Sequence, residues 1–394
     1  MTLKTLVVFY IAVMLQAGAY GATFLVAELS AFHGFGTRSV GHTFAAIAIC
    51  AVFATAYAGR VSHRFGTMTV IIFAGLSLSA ALVILAFSGT LVVQIAGGGL
   101  LGVGWGLFYT LSPVVLSGFS SPDKRAVLFS GFAASMSIGF GLTPVMSSWI
   151  SGGAFGVLGT FALLSLGSAC AAVLFWFIKM REVPLSIETT SDSGRGKLTK
   201  FSFLFSEPVW MLLVLLALGA FVFSAINSFQ TIYARSHGWN YSNYYLANTA
   251  AAVLGRLVYI GFFRKFKGFW SVAILYSATI ACMAIFLMND ADQTLYILAG
   301  FLFGIGYGVS YPIILAQIST SVPEQFTGPA LRVAGLIYFL FLFGAPYVIA
   351  PVVVSGGVDA MFPILSMLVL LKCIIVGLII FRSAIKLTST ALNC

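Results

Sequence analysis

Charged side chains are scarce in this sequence: Asp, Glu, Lys and Arg make up 8% of its 394 residues, and hydrophobic residues make up 60%. A soluble domain has about a quarter of its residues charged, so this composition excludes an ordinary water-exposed surface. Apolar stretches recur from Leu3 to Phe381, and each is long enough to cross roughly 30 Å of hydrocarbon as a helix. The chain is therefore predicted to be an all-α integral membrane protein.

Other signals are absent as well. The five cysteines are scattered singly, with no CxxC pair, so neither disulfides nor a cysteine metal site is predicted. The sequence has no metal-ligand cluster, nucleophile motif or phosphate-binding loop, which argues against an enzyme and against a cofactor. The solidly apolar stretches lack the alternation of a transmembrane β-barrel. The first stretch is too long and apolar for a signal peptide and is interpreted as a retained helix.

Twelve spans are predicted, six on either side of a polar stretch. Their approximate bounds are 4–28, 39–60, 67–87, 90–117, 126–150 and 155–179, then 208–232, 244–264, 269–289, 293–318, 328–354 and 361–382. The polar stretch from Lys179 to Glu207 is rich in Ser, Thr, Gly and basic residues, as flexible linkers are. We therefore expect an N-terminal six-helix half (1–179), a cytoplasmic linker (180–207) and a C-terminal six-helix half (208–394).

The positive charges predict the orientation. With the N-terminus inside, sixteen of the twenty Lys and Arg residues fall in cytoplasmic segments, as the positive-inside rule requires. Both termini are then cytoplasmic, and the net charge of +10 is explained by topology and by anionic membrane lipids, without a nucleic-acid partner. The short tails favour a bacterial inner membrane.

An internal repeat relates the two halves. Four glycines and a tyrosine in span four recur in span ten at a constant offset of 202, and so does a proline of span five in span eleven. The pairs are Gly98 and Gly300, Gly102 and Gly304, Gly104 and Gly306, Gly106 and Gly308, Tyr109 and Tyr311, and Pro144 and Pro346. Such a repeat is expected of a carrier made of two equivalent halves.

Two motifs carry a family resemblance. Residues 59–66, Gly-Arg-Val-Ser-His-Arg-Phe-Gly, resemble the G-x-x-x-D-R-x-G signature of the major facilitator superfamily, with His63 in place of the aspartate. Residues 139–144, Gly-Phe-Gly-Leu-Thr-Pro, resemble the antiporter signature of span five, with Thr143 in place of a glycine. The resemblance implies the twelve-helix major facilitator fold and gating roles for Gly59, His63, Arg64, Gly66, Gly139 and Pro144.

The resemblance also implies a function. The segments 233–239 and 255–257 are similar to those of bacterial efflux-type members that export sugars, drugs or metabolites. We therefore expect a monomeric secondary active transporter that moves a small organic solute by alternating access, as a proton-coupled exporter. The alternatives are an importer or facilitator of an organic anion, including metal-chelating metabolites, and a non-transporting membrane sensor.

Ionisable residues inside a span are costly and mark functional sites. Glu28 is the candidate for proton coupling, and its alternative is a solvated acid at a helix end. Arg256, near the middle of span eight, is predicted to contact an anionic group of the solute; the alternative is structural pairing with a backbone carbonyl. Lys372, in span twelve, is interpreted either as reaching toward the membrane interface or as making a local contact.

Polar and aromatic side chains on the spans expected to line a central cavity are candidates for solute binding, since such pockets hold a partly apolar solute by a few hydrogen bonds. Bonds between helices are the alternative for each of them. They are Gln16, Tyr20, Trp105, Tyr109, Asn227, Gln230, Asn248, Tyr307 and Tyr311.

Small residues four apart form ridges on three spans: Ala46, Cys50, Ala54 and Ala58 on span two, Gly131, Ser135, Gly139 and Thr143 on span five, and Ala247, Ala251 and Gly255 on span eight. Such ridges let helices approach closely in lipid. They are interpreted either as sliding surfaces between the halves or as static packing. Phe339 and Phe343 interrupt the pattern on span eleven and predict a bulkier contact there.

Overall fold

The computed structural model describes residues 3–118, 122–151, 156–181, 209–261, 269–288 and 292–392. Within these ranges the chain forms twelve long helices and no strand. Their bounds are α1 Leu3–Phe32, α2 Arg38–Phe65, α3 Thr67–Ala86, α4 Leu91–Gly118, α5 Pro122–Ser151, α6 Gly156–Arg181, α7 Val209–Ser236, α8 Tyr241–Gly261, α9 Trp270–Met288, α10 Gln293–Thr320, α11 Glu324–Gly356 and α12 Met361–Leu392. The predicted all-α architecture of twelve helices is confirmed. Most of the predicted linker, from residue 182 on, lies outside the described residues.

Ten of these helices, all except α5 and α8, are long and apolar enough to cross a membrane, counted over the described residues. α1 is not uniform, because a 3₁₀ turn, Ala22–Leu25, joins its α-helical parts Leu3–Gly21 and Val26–Phe32. Several helices, among them α1, α2, α7 and α12, extend a few residues beyond the predicted spans. The extension matters at α7, which continues to Ser236 and therefore includes Arg235.

The two halves repeat the same pairing of helices. In the first half α1 packs on α5 and α6, α4 on α2 and α3, and α3 on α6; in the second half α7, α10 and α9 make the equivalent contacts. The halves meet through α2 against α11, α5 against α8, and α1 against α7. The predicted pseudo-symmetry is therefore visible in the packing within each half and in the two side contacts between them.

The repeated glycines explain why the halves share one framework. A Cβ on Gly106 would lie 2.7 Å from the carbonyl oxygen of Ala51 on α2, and one on Gly300 would lie 2.7 Å from that of Tyr244 on α8. On the other side of the same helices, a Cβ on Gly104 or Gly306 would lie 2.8–2.9 Å from a carbonyl oxygen of α3 or α9. No side chain fits at these distances, so glycine is required where α4 and α10 cross their neighbours.

The small-residue ridges also face neighbours in their own half. A Cβ on Gly139 would lie 2.8 Å from the Cβ of Ala17 on α1, and one on Gly255 would lie 2.8 Å from Val309 Cγ2 on α10. Thr143, which replaces the signature glycine, donates a hydrogen bond of 2.9 Å to the carbonyl of Gly18. The structure therefore favours static packing over sliding surfaces for these ridges.

Two other glycines lie at the contacts between the halves. A Cβ on Gly41 of α2 would lie 3.2 Å from the Cβ of Ala350 on α11, and one on Gly141 of α5 would lie 2.6 Å from Thr249 Cγ2 on α8. Gly141 is only two positions from Gly139, but it faces the opposite half. Close approach between the halves thus depends on residues that the ridge pattern does not contain.

Candidate solute-binding site

An aromatic cluster fills the space where the two halves meet. Tyr20 of α1 stacks on Trp105 of α4 with ring centroids 4.1 Å apart, and it contacts Phe343 of α11 edge-on at 6.0 Å. In the second half, Phe223 of α7 stacks on Tyr307 of α10 at 4.5 Å. The structure thus brings the predicted Tyr20, Trp105 and Tyr307 together with Phe343 and Phe223, which were not among the candidates for solute binding, as two facing aromatic walls.

The repeated tyrosines meet each other. The hydroxyl groups of Tyr109 and Tyr311 are 3.0 Å apart and share a hydrogen bond in which either can be the donor. Tyr311 packs on Tyr338 of α11, and the hydroxyl of Tyr338 lies 3.3 Å from that of Tyr307. Since Tyr109 and Tyr311 are equivalent in the repeat, their hydrogen bond lies on the pseudo-two-fold axis that relates the halves.

Arg256 joins the two halves beside this tyrosine pair. Its Nε donates to the carbonyl of Gly308 on α10 at 3.0 Å, and its Nη1 donates to Ser137 Oγ on α5 at 2.6 Å. Nη1 also lies 3.4 Å from the carbonyl oxygen of Ala133. The backbone pairing that the structural alternative expects is thus present, but all these acceptors are neutral. The guanidinium is held in place while its charge is left without a carboxylate among these partners.

Sequence composition explains the lack of a counter-ion. The chain has ten acidic residues, and among those that the structure describes only Glu28 occupies the interior of a spanning helix; Asp292 and Asp359 lie at helix ends. A partly buried arginine without a carboxylate is costly unless a ligand or water offsets its desolvation. The geometry therefore leaves Arg256 able to accept an anionic partner between the halves.

Glu28 is engaged elsewhere. Its side chain is 4% exposed, and its Oε1 lies 2.5 Å from Nη2 of Arg235, whose side chain is 54% exposed. The ion pair connects α1 to α7 and therefore the two halves. We call the end of the bundle that carries this pair the outer end, following the predicted orientation. Burial excludes the solvated-acid alternative for Glu28. The sequence reading missed Arg235 because it ended the seventh span four residues early.

Two buried amides lie on α7. The Nδ2 of Asn227 donates to the carbonyl of Phe223 at 2.8 Å, and the hydroxyl of Tyr245 on α8 donates to the carbonyl of Asn227. Gln230 is fully buried, and both of its amide atoms lack a hydrogen-bond partner among the described residues. A buried amide without partners is unusual, so Gln230 is available to a solute or to water.

Gln16 and Asn248 lie apart from the aromatic cluster. Gln16 and Ser168 of α6 exchange two hydrogen bonds, of 3.2 and 2.8 Å, inside the first half. A hydrogen bond between helices, the alternative given for each candidate, is thus what the structure shows for Gln16. Asn248 is half-buried on the side of α8 that approaches Gly304 of α10.

The signature between α2 and α3 forms a tight connection. Gly66 has φ +84°, a conformation that favours glycine, and it links the end of α2 to the start of α3. Gly59 and His63 are exposed on the last turns of α2. The guanidinium of Arg64 lies 5.3 Å from the ring of Phe65, its neighbour in the chain. In the second signature Pro144 is buried in α5, while Gly139 faces α1.

Of the two interpretations of Lys372, the structure has the local contact and not an approach to the membrane interface. Its side chain is 2% exposed and points into the second half, where Nζ lies 4.1 Å from the centroid of the Tyr276 ring. It lines a small cavity together with residues of α7, α9 and α10. Sequence reasoning could not find this position, since an apolar helix gives no signal for the direction in which a lysine in its interior points.

Twelve helices in two repeat-related halves, joined by polar and aromatic contacts at the centre, define a polytopic membrane carrier. The sequence model of the Major Facilitator Superfamily matches residues 6–351. The chain belongs to this superfamily and is a multi-pass membrane transporter, not an enzyme, as predicted. No curated protein sequence matches it.

Solved transporters share the fold. The nucleoside transporter NupG has a TM-score of 0.73 at 15% identity, covering 95% of this chain and 97% of its own. The D-xylose-proton symporter gives 0.76 at 14% identity, with 95% and 97% covered. The human organic anion transporter MFSD10 (TETRAN) gives 0.65 at 15% identity, with 94% and 98% covered. At these identities the likeness shows the fold alone.

Proposed function

We propose that this chain is a secondary active transporter of a small organic anion, which it binds between its two halves with Arg256 as the anchor. The observation that carries the proposal is the arrangement of the Arg256 guanidinium. It is fixed by neutral oxygens of both halves, Ser137 on one side and Gly308 on the other. If the carboxylate of a solute displaced the Ser137 hydroxyl, it would accept two parallel charged hydrogen bonds from the planar guanidinium group.

The surrounding residues support a partly apolar solute. Tyr20, Trp105, Tyr109, Tyr307 and Tyr311 offer aromatic faces and hydroxyl groups, and pockets of this composition hold organic molecules by stacking and a few hydrogen bonds. Gln230 adds an amide with both groups available. The printed name of MFSD10 as an organic anion transporter is consistent with this substrate class.

Alternating access follows from the contacts between the halves. At the outer end α1 and α7 are joined by Glu28 and Arg235, and α2 approaches α11 at Gly41. Opening this end requires these contacts to separate while the tight packing within each half is kept. Rocking of two rigid halves about the central site is the motion that this division of contacts favours.

Glu28 is proposed to couple transport to protons. Protonation removes its charge and so weakens the ion pair that holds the outer end closed. The charge distribution supports a cytoplasmic location of both termini, and a bacterial inner membrane is the location proposed. Export is the direction that the resemblance of residues 233–239 and 255–257 favours. Uptake is the second candidate, because a solved neighbour is named as a proton symporter.

The experiment for Arg256 starts with purified protein. A thermal-shift screen against organic acids identifies a ligand, because a solute that binds only the folded state raises its stability. We expect Arg256→Lys and Arg256→Ala to weaken affinity for that ligand by about 1–3 kcal/mol, the net value of a charged hydrogen bond. Both variants are expected to fold. Unchanged affinity in Arg256→Ala, with lowered thermal stability, would show a purely structural role.

The experiment for Glu28 uses proteoliposomes with an imposed pH gradient. We expect Glu28→Gln to lose uphill transport while solute exchange without a gradient is retained. Arg235→Gln is the matched control, because it also breaks the ion pair but leaves the carboxylate able to carry a proton. If both variants lose the response to the gradient equally, the pair holds the outer end and carries no proton. Everted and right-side-out vesicles distinguish export from uptake.

A further inference from the structure

Lys372 lies too deep in the bundle for its ammonium group to be solvated at a membrane surface. It is fourteen residues from Val358 and ten from Arg382, the ends of the spanning segment. At 1.5 Å per residue the nearer end is roughly 15 Å away along the helix axis, farther than a lysine side chain extends. The side chain turns inward and is 2% exposed.

The cavity around the ammonium group is built from the second half alone. Its walls are Leu215, Leu216 and Gly219 of α7, Tyr276 of α9, Tyr307, Ser310, Tyr311 and Ile314 of α10, and Lys372 itself. Gly219 leaves room for the ammonium group, since a Cβ there would lie 3.7 Å from Nζ. Three helices besides α12 thus contribute to the walls of this cavity.

The polar groups in this cavity are only partly satisfied. The ring face of Tyr276 stabilises the ammonium group by a cation–π contact at 4.1 Å, which recovers part of its desolvation cost. The hydroxyl of Tyr276 is buried and has no hydrogen-bond partner among the described residues. The interior of the described spans supplies one carboxylate, Glu28, and that group is paired with Arg235. A cation and a hydroxyl donor therefore share one cavity without an anion.

We propose that the Lys372 cavity is an anion-binding subsite of the second half, which takes a compact group: the carboxylate of a solute or a small inorganic anion such as chloride. The ammonium group neutralises the charge, and the hydroxyl of Tyr276 donates a hydrogen bond. Tyr307 and Tyr311 line both this cavity and the central aromatic cluster, so an occupant would contact the walls of the solute site. The inference goes beyond the proposed function and holds even if Arg256 takes no part in solute binding.

The test measures thermal unfolding of the full chain in detergent. Sodium acetate, and in parallel sodium chloride, is titrated against sodium gluconate at constant ionic strength, because gluconate is a much bulkier anion than the other two. For each salt, the rise in the unfolding midpoint of Lys372→Met is subtracted from the rise in the parent. The difference is the Lys372-dependent rise. We expect a saturable rise in the parent that is lost or reduced in Lys372→Met and retained in Lys179→Met, a control at an exposed lysine.

The outcomes separate the two sources of the anion. A Lys372-dependent rise with acetate alone identifies a carboxylate subsite, and one with chloride as well identifies a site for small anions; both support the proposal. Arg256→Ala is expected to keep this Lys372-dependent part, so a failure of the proposed function is recognised separately. Equal rises in the parent and in Lys372→Met overturn the proposal of an anion subsite at Lys372. If Lys372→Met does not fold, Tyr276→Phe replaces it and is expected to weaken acetate binding several-fold.

Discussion

The contacts α2–α11 and α5–α8 occupy equivalent places in the repeat but differ in chemistry. Gly106 of α4 and Gly308 of α10 are a repeat pair, and the carbonyl of each accepts a hydrogen bond from the neighbouring helix: from Thr55 of α2 at 3.4 Å and from Arg256 of α8 at 3.0 Å. Thr55 and Arg256 therefore occupy equivalent places. Only the arginine is long enough to continue into the other half and reach Ser137.

The partners of these residues differ in the same way. The position equivalent to Ser137 on α11 is Phe339, whose ring lies 5.1 Å from that of Tyr109. One contact is thus charged and hydrogen-bonded, while the other is aromatic. The difference teaches that the repeat preserved the backbone framework, while the side chains at the two equivalent contacts between the halves diverged.

The largest expected effect distinguishes packing within one half from packing between the two halves. Gly139→Leu places a side chain against α1 of the same half, where even a Cβ would lie only 2.8 Å from that of Ala17. We expect a loss of about 3 kcal/mol in stability from overpacking. Gly141→Leu places a side chain against Thr249 of the other half. Each half is therefore expected to fold, but the protein is expected to lose transport. Thermal unfolding and proteoliposome transport are measured on both.

Gly344→Leu is the control for that pair, because a Cβ at Gly344 has no atom within 4 Å. It is expected to change neither quantity. Folded, active Gly139→Leu protein would contradict the assignment of this glycine to the packing within the half.

A smaller effect is expected when the hydrogen bonds of Arg256 and Thr55 are removed one at a time. Ser137→Ala removes the 2.6 Å hydrogen bond to Arg256, and we expect a loss of about 2 kcal/mol in solute-free stability, typical of a bond to a charged group. Because a solute would no longer compete with Ser137, its affinity should rise several-fold. Thr55→Ala, which removes a neutral 3.4 Å bond, should cost about 0.5 kcal/mol. Isothermal calorimetry and thermal unfolding compare the two; lowered affinity in Ser137→Ala contradicts competition.

Much of the fold was predictable from sequence, because lipid requires long apolar helices and close packing requires small residues. The repeat of Gly98 to Tyr109 placed α4 and α10 in register, and each of its glycines has a packing reason in the structure. The pattern could not tell which neighbour a small face meets. Gly139 and Gly141 differ by two residues, and only the assembled bundle shows that they face different halves.

The site was less predictable, because its decisive contacts join residues far apart in the chain. Arg256 and Glu28 stood out as ionisable groups in apolar helices. Their partners, Ser137 and Arg235, had no such signal. Ser137 is one of several serines of α5, and Arg235 was predicted to lie in a loop. The inward direction of Lys372 depends on the rotation of α12 against its neighbours.

The hydrogen bond between Tyr109 and Tyr311 has a consequence for the ancestry of the chain. A residue on a two-fold axis meets its own copy, so in a dimer of two identical six-helix chains one tyrosine would have supplied both sides of this contact. Fusion of two such chains would leave each copy free to change separately. Both copies are still tyrosine here, whereas Thr55 and Arg256 differ, so the contact on the axis keeps the symmetry of a homodimer.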